Sequence, residues 1–255
     1  MIKKYFPLFF ILALLISLLT EPPLLAAPED SITVAAASSF SFALTEITED
    51  FSASAHVPVR LVFGSSGLLA RQIERGAPFD IFISANSAFM ENLAKRGAVE
   101  RASMSSFARG SIVIALPVAS RVKVSGLTDL SHGDIKRIAI ANPRHAPYGR
   151  GAEEALKSLG IWEEIRKKIV YGENVRQTMQ FVESGNVEAA VVALSVARRK
   201  GIKIVPVKEA LYGPIRQSVA IVSSSQQKVA AKKFISYLTG EAARGTLEKY
   251  GFSRP

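Results

Sequence analysis

The sequence predicts an α/β fold in two lobes, and three observations carry that prediction. Short apolar stretches alternate with stretches of helical periodicity through most of the chain, the pattern of βαβ units around parallel strands. Several of these strands run straight into a helix through small or hydroxyl residues. The chain also offers two places, near Ser105 to Ser111 and near Pro214 to Ser218, where strands could carry it from one lobe to the other and back. One large α/β domain fits the length as well. No internal repeat or low-complexity linker divides the chain.

The first segment carries an address. Lys3 and Lys4 precede an apolar run from Phe6 to Leu19, then Glu21, Pro22, Pro23 and the small pair Ala26-Ala27. That is the layout of a secretory signal peptide over residues 1–27, and its apolar run is shorter than the ~20 residues of a spanning helix. The mature chain is expected to start near Pro28, in the periplasm. With 0 Cys there is no lipid-anchor cysteine, no disulfide and no thiolate metal site.

The formal charge is +10; removing Lys3, Lys4 and Glu21 with the leader lowers it by one, to +9. Such a surface favours anionic partners. Its basic runs, Arg166-Lys167-Lys168 and Arg198-Arg199-Lys200, carry no interleaved aromatics, so nucleic acid is not expected as a partner.

Ser31 to Ala37 reads as the first strand, and Phe40, Leu44, Ile47 and Phe51 mark the helix that follows Ser38-Ser39. Val59 to Phe63 is the second strand, followed by the turn Gly64-Ser65-Ser66-Gly67 and a helix opening at Leu68. Phe79 to Ala85 is the third, after which Asn86 caps a helix ending at Gly97. Ser111 to Pro117 and Arg137 to Ala141 are further strands. Asn142 to Gly149 reads as a loop because of its two prolines, with a helix beginning near Gly151. Ile161 to Ile169, around the sole Trp162, reads as helix, and another helix follows Glu173-Asn174. Ala189 to Leu194, Lys203 to Val207 and Gln217 to Val222 are strands, and the C-terminus is helical.

Signatures of catalysis are sparse. His56, His132 and His145 sit in no metal-ligand spacing, and Gly64-Ser65-Ser66-Gly67 is one residue short of a G-x-S-x-G elbow. Gly149-Arg150-Gly151 lacks the third glycine of a dinucleotide fingerprint, Glu154 standing there. Asp80, Glu153 and Glu154 form no paired motif.

A binding signature recurs instead. Four junctions place small, hydroxyl or backbone-exposing residues just before a helix: Ala37-Ser38-Ser39, Gly64 to Gly67, Pro147-Tyr148-Gly149 and Glu173-Asn174-Val175. If they converge, they surround one point with O–H and N–H donors. Hydrogen bonds to a charged group are worth about 1.5–3 kcal/mol each, so several offset the desolvation of a small dianion. Sulfate, molybdate or tungstate suits an all-donor site. Phosphate keeps a proton at neutral pH and wants an acceptor, which only Glu173 offers.

The phrases ITVAAAS (Ile32 to Ser38), GSSGLLARQIERGAPFDIFISA (Gly64 to Ala85), NPRHAPYGRGAEEALKSLG (Asn142 to Gly160), ENVRQTMQFVESG (Glu173 to Gly185) and KYGF (Lys249 to Phe252) resemble the periplasmic molybdate-binding proteins of ABC transporters. The resemblance spans the mature chain in order. It implies a type II periplasmic-binding fold: two α/β lobes with central mixed sheets, joined by a two-crossover hinge, with lobe I over 28–108 plus 215–255 and lobe II over 109–214. It further implies a protein that captures molybdate, and tungstate with it, and hands the anion to a membrane permease, for which a monomer is the simpler expectation. Molybdenum then enters as its oxyanion, with no free metal cation, no cofactor and no bond made or broken.

Carried over by matching phrases, Ser38 and Ser66 supply hydroxyl and backbone donors, Ser39 adds to them, and Tyr148 and Val175 offer backbone N–H groups. Some members of the family place a ligand tyrosine where this chain reads Val192-Ala193-Leu194-Ser195, so that donor is missing here and Ser39 is the candidate to replace it. Ser65 is expected only to shape its turn, and Arg71 to serve as an ion-pair or interlobe residue. The rivals are a sulfate or phosphate binder of the same fold and an exported hydrolase with Ser66 as nucleophile.

Overall fold

The computed structural model describes residues 31–255, so the leader expected over 1–27 lies outside the described residues. In chain order the strands are β1 (Ile32–Ala37), β2 (Val59–Gly64), β3 (Ile81–Ser84), β4 (Ser105–Gly110), β5 (Ile112–Pro117), β6 (Ile138–Ala141), β7 (Ile169–Gly172), β8 (Ala189–Ala193), β9 (Ile202–Pro206) and β10 (Ile215–Ile221). They form two five-stranded sheets, ordered β2-β1-β3-β10-β4 and β7-β6-β8-β5-β9. Each is mixed. In the first, β1 runs parallel to β2 and β3 while β10 is antiparallel to its neighbours; in the second, β6 runs parallel to β7 and β8 while β5 is antiparallel to its neighbours.

The helices are α1 (Ser41–Ala55), α2 (Ser66–Glu74), α3 (Ser87–Lys95), α4 (Pro147–Ser158), α5 (Trp162–Ile165), α6 (Val175–Glu183), α7 (Leu194–Ala197), α8 (Lys228–Thr239) and α9 (Glu241–Lys249). A short 3-10 turn, Ser38–Phe40, joins β1 to α1. Among the described residues no helix is long and apolar enough to cross a membrane.

Register brings the site together. Ala37 pairs with Gly64 and Ala36 with Ile83, so β1, β2 and β3 end level with one another. Ala141 pairs with Gly172, which levels β6 with β7 in the other sheet. Ligands of such sheets bind beyond the carboxyl ends of the parallel strands, and each strand end here leads toward a helix.

The chain leaves the first sheet at Gly110, passes Ser111 and enters β5 at Ile112; it returns through Pro214 into β10. Leu194 N–H donates to the Ser111 carbonyl at 3.0 Å, tying the first crossing to the end of β8. The second carries an irregularity between Gln217 and Ser218, a place where a strand bends.

Both cores are ordinary burial. β1 is buried along its whole length, as a central parallel strand is. Leu44, Ile47 and Phe51 on one face of α1 are buried, and Phe51 meets Phe234 edge-on at 5.1 Å. In the other half, β6 is buried throughout and α4 contributes Ala152, Ala155 and Leu156. The tail returns to the first half: Phe252 stacks on Phe40 at 4.4 Å, and Phe40 on Phe107 at 5.6 Å.

Three expectations are corrected. Pro147 does not hold a loop open but occupies the first position of α4, where a missing N–H costs nothing and a fixed φ favours the helix. The helix therefore starts four residues before Gly151, and α2 likewise begins at Ser66 rather than Leu68. One edge strand was unforeseen: β7 begins at Ile169, where helix was expected, while β4 forms where a strand crossing was expected. Phe252→Ala removes a fully packed ring from the three-phenylalanine stack, and urea unfolding should show a loss of about 3–5 kcal/mol.

Candidate functional site

The carboxyl ends of β1, β2, β3, β6 and β7 converge on one cavity between the halves, with about 190 Å³ of empty space including its mouth. Ser38, Ser39 and Ser66 line it from the first half, and Tyr148 and Val175 from the second. All five expected residues thus meet at one point. None of the lining residues is charged.

The helix starts at the cavity leave their first N–H groups without acceptors among the described residues. Ser65 stands at the N-cap of α2 but its side chain does not cap it; its Oγ lies 2.8 Å from His145 Nδ1 in the other half. Ser66 is fully buried, and its Oγ accepts the Ala85 N–H at 3.0 Å, leaving its own proton free to donate into the cavity it lines. No side chain caps α4, and none caps the 3-10 turn at Ser38. Asn174 caps α6 by accepting the N–H groups of Arg176 and Gln177, at 3.0 and 3.1 Å, and leaves that of Val175.

Helix geometry gives the N–H groups of Ser66, Tyr148 and Val175 no intrahelical acceptor. Among the described residues no other group accepts them. Three uncapped N–H groups, the hydroxyls of Ser38 and Ser66 and three helix dipoles therefore face one small space. Such a space stabilises an anion and offers a cation nothing. Among the described residues no cluster of acidic, histidine or cysteine side chains forms a metal site.

Ser39 behaves differently from Ser38. Its Oγ is buried with no hydrogen-bond partner, close to the Tyr148 phenol but not in bonding geometry. Burial pushes the Tyr148 phenol well above its ordinary range, an effect that Ser39 and Gln217 partly offset. Its Oη accepts from Gln217 Nε2 at 3.2 Å, so the ring anchors α4 to the hinge strand β10 while the backbone N–H serves the cavity. From the other half, Ser195 Oγ donates to the Ser39 carbonyl at 2.7 Å. It ties the two halves together and supplies no donor to the cavity.

The halves are closed over the site. Gly67 N–H donates to the His145 carbonyl at 2.9 Å, beside the Ser65 to His145 contact. A β-carbon at residue 67 would lie 2.9 Å from that carbonyl and 2.9 Å from Phe89 Cζ, so only glycine permits this approach. Likewise a β-carbon at Gly149 would drive into the Ala141 carbonyl, where α4 meets the end of β6. His145 is half-buried; desolvation, then the charge of Arg71 opposed by Glu173, holds its pKa below 6.5. Arg71, expected as an ion-pair or interlobe residue, bonds its own helix at the Gly67 carbonyl, 3.3 Å away. Its charge reaches across the seam.

Gly67 and Asn174 belong to junctions that the sequence had already singled out, whereas Ala85 and His145 are parts of the site that sequence reasoning did not assign. Ala85 directly follows β3, a signal that was available. The meeting of Gly67 with His145 has no local signal.

Two lobes, a strand hinge and a closed, uncharged donor cavity define a binding protein for a small anion. Residues 32–253 match the family described as bacterial extracellular solute-binding protein, and the chain belongs to that family. It is 33% identical to the molybdate-binding protein ModA of Azotobacter vinelandii, over 89% of this chain and 91% of that one. Identity to ModA of Escherichia coli (strain K12) is 34%, over 89% of this chain and 90% of its relative. The fold superposes on the Azotobacter vinelandii periplasmic molybdate-binding protein with a TM-score of 0.83 at 28% identity, covering 88% of this chain and 99% of that one.

Two outcomes follow from the seam. Gly67→Ala should leave the ligand-free thermal midpoint within a few degrees of the parent while holding the halves apart, read as a larger radius of gyration by small-angle scattering. For His145 the folded pKa lies below its ordinary value, so the unfolded chain takes up a proton first and stability is lost as pH falls through 6.5. Thermal midpoints between about pH 8 and pH 5 should fall less steeply in His145→Gln than in the parent.

Proposed function

We propose that this chain captures molybdate between its two lobes and passes it to the membrane permease of an ABC transporter. The observation that carries the reading is the convergence of helix starts whose first N–H groups have no acceptor: Ser65 and Ser66 bond elsewhere, and the N–H groups of Ser66, Tyr148 and Val175 are left to a ligand. The ligand set proposed is Ser38, Ser39, Ser66, Tyr148 and Val175, with Ser39 in the place of the absent tyrosine, since its buried hydroxyl has no other partner. Names of relatives at about one-third identity support molybdate as the anion. Tungstate, of the same shape and charge, is taken with it.

The rest of the reading goes with this role. Residues 1–27 are the export leader, the lobes expected over 28–108 plus 215–255 and 109–214 divide instead after β4, at 28–110 plus 215–255 and 111–214, and the mature protein works as a periplasmic monomer. Chemistry on the ligand forms no part of it. Ser66 has no imidazole beside it, because His145 is engaged by Ser65 across the seam.

Phosphate loses its argument. Glu173, the carboxylate that could take its proton, is exposed and is not among the residues around the cavity. Sulfate, a fully deprotonated dianion, meets the same donors and is disfavoured by its smaller size.

Calorimetric titration of the mature chain with molybdate, tungstate, sulfate and phosphate tests this. Molybdate and tungstate should bind, sulfate and phosphate far more weakly; no molybdate heat, or a preference for phosphate, overturns the reading. Ser66→Ala should weaken molybdate binding by about 1–3 kcal/mol, as loss of a buried donor to a charged group. Glu173→Gln should leave the affinity unchanged.

A further inference from the structure

A second contact between the halves stands apart from the cavity and from the His145 seam. Phe42, near the start of α1, meets two arginines of the other half: the guanidinium carbons of Arg176 and Arg199 lie 5.0 and 4.9 Å from its ring centroid. Both distances fall within the ~6 Å range of cation–π attraction. Phe42 is only half-buried, so its ring is not simply a core residue.

Each side of this contact is assembled within its own half. Glu183 joins the two arginines, at 3.2 Å from Arg176 and 2.6 Å from Arg199. On the facing side the Tyr250 ring stacks near Phe42, with centroids 6.4 Å apart and planes 18° from parallel. Tyr250 Oη donates to Glu46 at 3.0 Å, and Lys249 pairs with the same carboxylate at 2.7 Å. Neither the ring nor the guanidinium pair has to be ordered when the halves meet, so little entropy opposes the contact.

Its position along the chain couples it to the ligand. Phe42 follows Ser38 and Ser39 by less than a helical turn and a half, and Arg176 is the residue after Val175. Docking the ring on the arginines therefore sets the start of α6 against the Ser38–Phe40 turn, and with it the Val175 N–H against the serine donors.

We infer that Phe42, Arg176, Arg199 and Glu183 form a clasp of positioning residues that fixes how long the bound anion is retained, without touching it. The inference rests on the binding role proposed above. An apparent dissociation constant equals the intrinsic one divided by the fraction of protein in the competent, closed form. A contact made only on closure raises that fraction, and it does so equally for every anion that fits. The clasp acts on release, because the anion enters while the halves are apart.

The test uses Phe42→Leu, which keeps apolar bulk without a π face, and Phe42→Trp, which keeps the face. With molybdate in stopped-flow measurements, Phe42→Leu should release the anion about tenfold faster, equivalent to about 1.4 kcal/mol, with an association rate and ligand-free thermal midpoint near the parent values. Phe42→Trp should release it at the parent rate or more slowly. Release from Phe42→Leu at the parent rate overturns the clasp, and so does Phe42→Trp releasing as fast as Phe42→Leu. Should the parent chain bind no molybdate, the ligand binding proposed above fails by itself. The clasp is then read from ligand-free small-angle scattering: a parent more compact than Phe42→Leu supports it, and equal radii overturn it.

Discussion

Everything in this molecule bends to one constraint: an anion enclosed without a counter-charge has to be met by N–H and O–H groups that nothing else satisfies. A buried donor left unpaired costs about 1–3 kcal/mol. A fold that keeps several such donors around one point carries that cost whenever the cavity closes empty. The ligand removes it, and the donors come from both halves, so closure and binding reinforce each other. Ser39, proposed above as a ligand residue, keeps a buried hydroxyl without a partner, in line with such an arrangement.

Keeping the donors free takes work at each helix start, and the chain does it differently each time. Ser65, in the position of a normal cap, turns its hydroxyl to His145. Ser66 engages its oxygen with the Ala85 N–H, which spends its acceptor and spares its donor. Pro147 has no N–H to satisfy, and the donors at Tyr148 follow it. Asn174 caps two N–H groups and omits the first. Asn86 likewise caps α3 by accepting the Ala88 N–H at 2.7 Å and leaves the first N–H. What sets the cavity apart is that several helix starts with open N–H groups line the same space.

Much of this was legible along the chain because each junction is local. Strand, small residues and helix follow one another within a dozen positions, and a shared type of junction suggests a shared purpose. The missed strand, β7, lies at a sheet edge, where IVYG is short and lacks clear alternation. Pro147 misled because proline breaks helices everywhere except at their first turn. The seam could not be read at all. Ser65 meets His145 across 80 positions and Ser195 meets Ser39 across 156, and no periodicity reports such pairs. Ser65, expected only to shape its turn, therefore proved to be an interlobe contact.

The stretch from Ser38 to Phe42 shows why ligand and closure are hard to separate here. At one end, Ser38 and Ser39 line the cavity. In the middle, the Ser39 carbonyl accepts from Ser195 of the other half. At the far end, Phe42 reaches the arginines. One short stretch thus carries cavity residues at its start and contacts with the other half along the rest, so the two cannot move independently. Discrimination among dianions of equal charge then falls to the dimensions of the closed frame, since neutral donors cannot tell them apart by charge. Those dimensions are set by how closely the seam residues allow the strand ends to approach.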